Sequence, residues 1–381
     1  MGYKRNQINH SDEFTKYCLQ YGFSKKNLQA LTVDAVFEEL YCCWAERIKQ
    51  KKYTYEAYLF ERNLGAELLN IANQIVNVTW QPAGYRDFKV YHPERIISAP
   101  TYPDRIVEAW HTDKFIVPYW QDKVLSTNMA CQRNKGPDKL VELLKSDLEQ
   151  FYRIYGRTFW FYQFDIKGYY DNISQDFCKK NFAGMNPYGY FLLENIIDSW
   201  ETKDCYAKLK NPEGHFGFPK GTLTSQWIGI TSLNELDHML NDLFRPLSQY
   251  RYMDDGLLIF PDKESCVKAH KKIEQYLLEK RLGIELHPQK TAYAPITRGF
   301  NFCGWHFRLR ENDGSVEMKV RQDRKVLKKQ EIKSKQRAYK NNYMSWGEIS
   351  QSLQSTFAHY AHGDTSKLKK YLCYRYRFSH Q

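Results

Sequence analysis

The chain has 381 residues, and its 56 Lys+Arg against 44 Asp+Glu give a net charge of +12. With 42% apolar and 16% aromatic residues, the composition excludes a largely disordered chain. The length predicts two or three domains or one large multi-lobed unit. No apolar run reaches the ~18 residues of a membrane helix, and the first residues lack a signal-peptide core. The nine cysteines follow neither a disulfide nor a zinc pattern. We therefore expect a cytoplasmic protein with reduced thiols and no membrane, and its charge is typical of proteins that contact a polyanion.

The first half of the chain is expected to be mostly helical. Apolar residues spaced by three and four predict helices within residues 1–80 and over residues 104–120 and 139–155. Residues 85–100 alternate apolar and polar positions and are interrupted by prolines, which predicts a hairpin of two strands.

The second half alternates helices and strands. Residues 216–244 are predicted as a loop that leads into a long helix, and residues 263–282 as an amphipathic helix. Strands are predicted in residues 249–260, 283–295 and 298–309. The sequence therefore predicts an α+β fold with a mixed sheet, followed by a basic helical module.

Carboxylates lie at the ends of apolar strands. Asp165 follows the aromatic strand FWFYQF, and Asp254 and Asp255 lie at the tip of the hairpin YRYMDDGLLIF. Carboxylates among apolar residues are unfavourable unless they are paired or bind a metal. Two Asp residues on neighbouring strands can hold two Mg²⁺ ions roughly 4 Å apart, an arrangement suited to nucleotidyl transfer. Asp-Asp-Gly is also a common turn sequence, and the hairpin taken alone favours an ordinary turn.

The segment GFPKGTLTSQ combines residues that bend the backbone with small polar side chains. Gly217, Pro219 and Gly221 favour a tight loop, and Thr222 begins a run of hydrogen-bonding groups before a helix. Such a loop can lie beneath a templating base and an incoming sugar. An ordinary loop with a helix N-cap explains the same residues equally well.

The last 61 residues carry 14 Lys+Arg against 4 Asp+Glu, so most of the excess positive charge lies there. The stretch RQDRKVLKKQEIKSKQRAYK has no Gly or Pro and predicts a basic helix. Further on, tyrosines alternate with lysines and arginines, a combination that suits phosphates and stacked bases. We favour contact with nucleic acid over the alternative of a solvated helix face.

Three motifs, QFDIKGYYDNI, FPKGTLTSQ and YRYMDDGLLIF, resemble the palm motifs of reverse transcriptases in order and spacing. HPERIISAP is similar to the fingers segment, HPQKT to a further palm motif, GFNFCGWHF to the primer grip, and LQSTFAHYAHGDTSKLKKYL to the thumb of bacterial members. The resemblance covers roughly residues 85–375 and implies a right-hand polymerase fold. The implied domains are a helical extension (1–80), fingers (81–160), a palm with a fingers insertion (161–310) and a basic helical thumb (311–381).

The resemblance implies a catalytic role for four residues and a metal-binding role for the carbonyl of a fifth. Asp165 and Asp254 would bind two Mg²⁺ ions, with Mn²⁺ as an alternative, and the carbonyl of Ile166 would be a third ligand. Asp255 would support the two ligands. Lys290 would act as a general acid toward the pyrophosphate.

Further residues are implied to contact the nucleotide. Arg95 would grip phosphate, with Lys89 as a second cation, and the backbone N–H groups around Gly168 and Tyr169 would cradle the triphosphate. Tyr170 would be the steric gate that excludes the ribose 2′-hydroxyl. The residues implied to lie beside the base pair are Lys220 and Gln226. The residues implied to contact template or primer are Ser225, Phe302, Cys303, Gly304, Trp305, Arg321, Arg324, Lys325, Lys328 and Lys329.

The implied function is an RNA-directed DNA polymerase that copies a structured non-coding RNA into cDNA. Its partners would be dNTPs, a DNA or RNA primer and an accessory protein. TSQ followed by NELDH is similar to diversity-generating and defence-associated reverse transcriptases, and Lys220 stands where diversity-generating members carry an apolar residue. This difference favours bacterial antiphage defence. The alternatives are a diversity-generating enzyme making mutagenised cDNA, protein-primed or untemplated DNA synthesis, and an RNA-binding scaffold.

Overall fold

The structure is a computed structural model, and it describes residues 12–21, 31–48, 54–91, 94–202, 205–279 and 283–378. The helices of these residues are, in chain order, α1 (Asp12–Gln20), α2 (Val33–Ile48), α3 (Tyr55–Glu61), α4 (Leu64–Val76), α5 (Tyr102–His111), α6 (Val117–Trp120), α7 (Pro137–Tyr155), α8 (Tyr169–Asn172), α9 (Gln175–Phe182), α10 (Pro187–Asp198), α11 (Tyr206–Lys210), α12 (Leu223–Ser232), α13 (Asn234–Phe244), α14 (Lys263–Glu279), α15 (Gln322–Lys340), α16 (Trp346–Tyr360) and α17 (Ser366–Arg375). The strands are β1 (Tyr85–Tyr91), β2 (Glu94–Pro100), β3 (Trp160–Phe164), β4 (Ser248–Tyr252), β5 (Asp255–Phe260), β6 (Ala292–Pro295), β7 (Phe300–Phe302), β8 (Trp305–Leu309) and β9 (Val316–Val320). The predicted α+β class is confirmed. The named strands pair antiparallel throughout, so the sheet predicted as mixed is antiparallel.

The described residues divide into two compact units. The first unit takes its residues from Met1–Leu125, Gly168–Glu235 and Leu277–Glu285. The second takes its residues from Ser126–Lys167, Leu236–Tyr276 and Leu286–Gln381. The division into four domains that the resemblance implies stays a prediction.

The first unit combines the N-terminal helices with a two-stranded hairpin. On α4, Leu68, Ile71, Ala72 and Ile75 are buried, and their spacing of three and four places them on one face of the helix. The helical character predicted for the first 80 residues is thus confirmed in their described part. Strands β1 and β2 pair antiparallel from Tyr85 opposite Pro100 to Tyr91 opposite Glu94, as the alternating pattern predicts.

The second unit contains two antiparallel sheets that share a core with α7. The four-stranded sheet has the order β4-β5-β3-β6, and the three-stranded sheet has the order β7-β8-β9. Leu140, Leu144 and Leu148 of α7 are buried in the same apolar cluster as Leu257 of β5 and Phe307 of β8. The shared core therefore fixes the end of the four-stranded sheet at which β3 ends and β4 turns into β5.

Three predicted elements are wrong in detail. The strand predicted over residues 283–295 forms only at β6, because residues 288–290 make a turn. The long helix predicted after the loop in residues 216–244 is two helices, because Leu233, with φ −107° and ψ 9°, ends α12 before α13 begins. The predicted strand of residues 298–309 is a hairpin, because Cys303 and Gly304 have φ of +46° and +87° and turn the chain back.

The helices and the cysteines bear on the expected absence of a membrane helix and on the expected reduced thiols. Among the described helices, none is both long enough and apolar enough to cross a bilayer. All nine cysteines lie in the described residues, and each is a free thiol.

Candidate active site

Three aspartates lie at one edge of the four-stranded sheet. Asp165 follows the last residue of β3, Asp254 lies in the two-residue turn between β4 and β5, and Asp255 is the first residue of β5. Because β3 and β5 are neighbours and Phe164 pairs with Gly256, the register brings Asp165 next to Asp255. A side-chain hydrogen bond joins Asp255 and Asp165.

The electrostatics of this cluster disfavour three free negative charges. Burial, the charge of Asp254 and the hydrogen bond to Asp165 raise the pKa of Asp255 to about 8. Burial and the charge of Asp165 also raise the pKa of Asp254, against the lowering effect of Lys290 and Arg251. The cluster therefore holds more negative charge than its own cations neutralise, which is the condition in which a bound cation gains most.

Lys290 is the cation that directly contacts the carboxylates. Its Nζ lies 3.0 and 3.2 Å from the two carboxylate oxygens of Asp165. Two backbone hydrogen bonds bring Lys290 close to Asp165. The N–H of His287 donates to the carbonyl of Asp165 at 2.7 Å, and the N–H of Lys290 donates to the carbonyl of His287 at 3.2 Å. The HPQK sequence is thus a turn anchored on the end of β3.

The side chains at this site fit a hard divalent cation, which prefers oxygen ligands. Asp165 and Asp254 supply carboxylates, and the carbonyl of Ile166 follows on the same chain. In the part of the chain that the structure describes, no three His, Cys, Asp or Glu side chains form a ready-made metal cage. Mg²⁺ does not need one, because it is usually bound by one or two carboxylates together with waters and substrate phosphates. The surplus of negative charge is the observation that supports the fit.

Gly256 is required for packing. It lies within β5, and a Cβ added there would be 2.1 Å from Cζ and 2.2 Å from Cε1 of Phe164. The ring of Phe164, which is 1% exposed, therefore lies across the glycine that follows the Asp254-Asp255 pair. The sequence pattern alone had suggested a turn former.

The first unit holds the tyrosines that follow Asp165 in sequence. Gly168, with φ +53°, precedes α8. The hydroxyl of Tyr169 donates to the carbonyl of Gly229 at 2.6 Å, and a Cβ at Gly229 would lie 3.0 Å from the Tyr170 hydroxyl. The N–H of Phe218 donates to the carbonyl of Tyr170 at 2.8 Å. Helix α8, the glycine-rich loop and α12 are therefore tied into one frame around Tyr170.

Lys220 is partnered within this frame. Its Nζ lies 2.7 Å from a carboxylate oxygen of Asp171, the residue after Tyr170. Thr222 caps α12 by accepting the N–H of Ser225 at 3.1 Å and donating to the Ser225 hydroxyl at 2.8 Å. Ser225 is 2% exposed and its hydroxyl belongs to the helix cap. Its contact with template or nucleotide stays a prediction. Gln226, by contrast, is half-buried.

A pocket opens beside Lys220 in the first unit. It has a volume of about 270 Å³, and its lining includes Phe88, Ile97, Glu108, Lys220 and Gly221. Burial raises the pKa of Glu108 to about 7. Apolar residues alternate with charged ones in this lining, so the pocket suits a ligand that is partly polar.

Arg95 and Lys89 lie on the β1–β2 hairpin. Both are exposed, and Arg95 pairs with Val90 across the hairpin. The Nζ of Lys89 lies 2.5 Å from a carboxylate oxygen of Glu94. Of the two predicted phosphate cations, Lys89 already has a carboxylate partner, so Arg95 is the better candidate.

The residues predicted as the primer grip differ in their exposure. Phe302 and Trp305 are each 1% exposed and belong to the core of the second unit, because they pair across the hairpin with both rings on its inner face. Cys303 and Gly304 form the turn and are half-buried, so the turn is more accessible than the two rings. The contact of these four residues with a primer stays a prediction.

The basic residues of α15 differ in their availability. Arg324 is exposed and Lys325 is half-buried. Arg321 forms an ion pair with Asp323 at 3.0 Å, and Lys328 one with Glu331 at 2.5 Å. The ammonium of Lys329 lies 4.7 Å from the centre of the Tyr371 ring. Arg324 and Lys325 are consequently the stronger candidates for phosphate contact.

Two residues that support the site were missed at the level of sequence. Arg251 and Asp237 form an ion pair in which each side chain is 3% exposed or less. The sequence does offer a signal for each of them. Arg251 is a charged residue on an apolar strand, and Asp237 is an aspartate within the apolar helix LNELDHML.

Comparisons with known proteins identify the family. The sequence matches the reverse transcriptase (RNA-dependent DNA polymerase) family over residues 94–307, which is more than half of the chain. The chain therefore belongs to the reverse transcriptases, a family of nucleotidyltransferases. A comparison with functionally curated proteins finds no match.

The structure is also similar to a solved telomerase. The match to telomerase from Candida albicans, solved in complex with a fragment of telomeric RNA, has 14% identity and a TM-score of 0.44. It covers 79% of this chain and 57% of the telomerase chain.

Proposed function

We propose that the chain is an RNA-directed DNA polymerase that adds dNTPs to the 3′ end of a primer. The observation that carries this proposal is the cluster of Asp165, Asp254 and Asp255 at one sheet edge, in a chain of the reverse transcriptase family. When bound by Asp165, Asp254 and the Ile166 carbonyl, Mg²⁺ or Mn²⁺ supplies Lewis acidity toward the primer hydroxyl and the triphosphate.

The residues of the chain have separate tasks in this proposal. Asp255 keeps Asp165 in place through their hydrogen bond. The Nζ of Lys290 gives a proton to the departing pyrophosphate, and its contact with Asp165 holds it ready for that transfer. Arg95 binds phosphate with its planar set of donors.

Selection of the nucleotide is assigned to the first unit. The ring of Tyr170 lies against Gly229, and the backbone of Tyr170 is held by the N–H of Phe218. In this proposal the ring takes up the volume that a ribose 2′-hydroxyl needs. The backbone around Gly168 and Tyr169 offers N–H groups to the phosphates. The pocket beside Lys220 and Gly221 takes a base, with Gln226 as a further contact.

Template and product are proposed to be a structured non-coding RNA and its cDNA. Arg324 and Lys325, with weaker help from Arg321, Lys328 and Lys329, follow the phosphates of the hybrid without reading sequence. The turn at Cys303 and Gly304 is the remaining contact for the primer. An accessory protein is the further partner in this proposal.

The biological role that we propose is antiphage defence in the bacterial cytoplasm. Lys220 supports the defence role, because it is a charged residue at a position where diversity-generating reverse transcriptases carry an apolar one. Its ion pair with Asp171 holds that charge in place. The alternatives are diversification through mutagenised cDNA, and DNA synthesis that is protein-primed or untemplated.

Sequencing the RNA and DNA that copurify with the chain, expressed with its flanking locus, tests this proposal. We expect one abundant structured RNA and complementary DNA, and no such DNA from the Asp254→Asn variant. A copied gene segment with altered adenines would contradict defence in favour of diversification, and DNA linked to protein would indicate protein priming. RNA without DNA would contradict polymerase function and favour a scaffold.

A further inference from the structure

The turn that carries Asp254 has an unfavourable backbone conformation. It consists of Met253 and Asp254, since Tyr252 pairs with Asp255 on either side. Met253 has φ +58°, a region that glycine and asparagine adopt readily and a long side chain rarely does. A turn of this kind persists only where its surroundings hold it.

Arg251 contacts this turn directly. Its Nη1 donates to the carbonyl oxygen of Met253 at 2.8 Å. Its Nε donates to both carboxylate oxygens of Asp237, at 2.8 and 2.7 Å. One guanidinium therefore links α13 to the carbonyl of the strained residue beside Asp254.

The guanidinium is itself held in place. Arg251 is 1% exposed and Asp237 is 2% exposed. The amide of Gln249 donates to the carbonyl of Asp237 at 3.0 Å, and the N–H of Met129 donates to the carbonyl of Arg251 at 3.0 Å. Backbone and side chain of Arg251 are thus fixed before the turn begins.

A buried ion pair is a weak source of stability, because removing two charges from water offsets much of their attraction. Two apolar residues of similar size would often serve the fold as well. An apolar pair cannot donate a hydrogen bond to the Met253 carbonyl, however. The feature of this pair that packing cannot replace is therefore its hold on the catalytic turn.

We propose that Arg251 and Asp237 are positioning residues that hold the Met253-Asp254 turn in the geometry needed for metal binding. This inference rests on the proposed polymerase function of Asp165, Asp254 and Asp255. Arg251 acts through the Met253 carbonyl, and Asp237 acts by orienting Arg251.

The test compares three variants. Asp237→Leu combined with Arg251→Met replaces the buried charges by apolar groups, so the fold is retained. Arg251→Lys keeps the charge but lacks the planar fork that serves Asp237 and Met253 together. Tyr250→Phe is the matched control: it lies on the same strand and loses the 2.8 Å hydrogen bond from its hydroxyl to Asp147, which is remote from the turn in sequence.

Four quantities are measured on each purified full chain: melting temperature, affinity for a primer–template without Mg²⁺, single-turnover rate of dNTP addition with its Mg²⁺ midpoint, and hydrogen exchange of the peptide spanning residues 250–256. We expect the double variant and Arg251→Lys to bind primer–template like the wild type. Their rates should fall and their Mg²⁺ midpoints rise by roughly 10–100-fold, as for other residues that orient metal ligands. Exchange should increase at residues 250–256, and Tyr250→Phe should stay within about twofold of the wild type in rate.

A double variant with wild-type rate, Mg²⁺ midpoint and exchange would overturn the inference. So would losses in rate that merely follow losses in melting temperature and primer–template binding. If the wild-type chain adds no dNTPs, the proposed function fails separately. Exchange at residues 250–256 then decides the positioning role, and unchanged exchange in the double variant would reject it.

Discussion

Gly256→Ala is the substitution whose effect follows most directly from the packing at the active site. The alanine Cβ would lie 2.1 Å from Cζ and 2.2 Å from Cε1 of Phe164, whereas ordinary contact begins near 3.4 Å. The ring must therefore move by more than ~1 Å, and Phe164 is 1% exposed, in an interior that is close-packed.

Overpacking of this kind destabilises a protein by about 1–3 kcal/mol. The rate should suffer more than stability, because Phe164 immediately precedes Asp165 and pairs with Gly256, next to Asp255. A misplacement of about 1 Å at reacting groups can lower a rate by ~100-fold. We expect Gly256→Ala to remain folded, with a melting temperature a few degrees lower and strongly reduced dNTP addition.

The assay is thermal unfolding together with single-turnover primer extension. Gly65→Ala is the matched control, because Gly65 lies in α4 and a Cβ there meets nothing within 4 Å. Phe164→Leu added to Gly256→Ala removes the ring and should recover part of the lost stability. Wild-type melting and rate in Gly256→Ala, or no recovery in the double variant, would refute the packing argument.

Three further predictions concern charge, sugar selection and salt. The pKa of Asp255 is raised to about 8 in the folded chain, so between pH ~4 and 8 folding takes up a proton at this carboxyl. The contribution of Asp255 to the free energy of unfolding therefore falls as the pH rises through this range. Asp255→Asn in EDTA should therefore melt above the wild type at pH 8, with the gap closing toward pH 4, and lose polymerase activity. Tyr170→Ala should raise the use of ribonucleotides relative to dNTPs by at least about tenfold in kcat/KM, whereas Tyr170→Phe keeps the ring and the selectivity. Arg324→Gln and Lys325→Gln should each lower the salt dependence of primer–template affinity, by about one in log–log slope, with no change in sequence preference.

Each of these predictions has a contradicting result. A melting difference between Asp255→Asn and the wild type that is independent of pH would rule out the raised pKa. Equal ribonucleotide use by Tyr170→Ala and Tyr170→Phe would remove the ring as the gate. An unchanged salt slope in the Arg324 and Lys325 variants would place the nucleic acid elsewhere.

Local patterns predicted the elements that carry the carboxylates. The apolar runs around Asp165 and around Asp254-Asp255 are long enough to specify strands, and two strands ending in carboxylates favour a shared site. Their neighbouring positions in the sheet depend on pairing across about 90 residues, which the family resemblance supplied and periodicity could not.

Contacts between distant residues limited the remaining predictions. The need for glycine at position 256 comes from the ring of Phe164 across the sheet, and the partner of Arg251 is an aspartate on a separate helix. At Phe302 and Trp305 the sequence motif did not indicate which face of the hairpin the rings occupy. Once a two-residue turn is placed at Cys303-Gly304, Phe300, Phe302, Trp305 and Phe307 fall on the buried face together.

Extension of a DNA primer on a defined RNA template by the purified chain tests the central claim most directly. The wild type and Asp254→Asn are compared with Asp242→Asn, which removes the charge of an exposed aspartate on α13. The account predicts Mg²⁺-dependent addition of the complementary dNTPs by the wild type and by Asp242→Asn, and none by Asp254→Asn. Template-directed synthesis by Asp254→Asn at the wild-type rate, or RNA binding by the wild type without any dNTP addition, would contradict it.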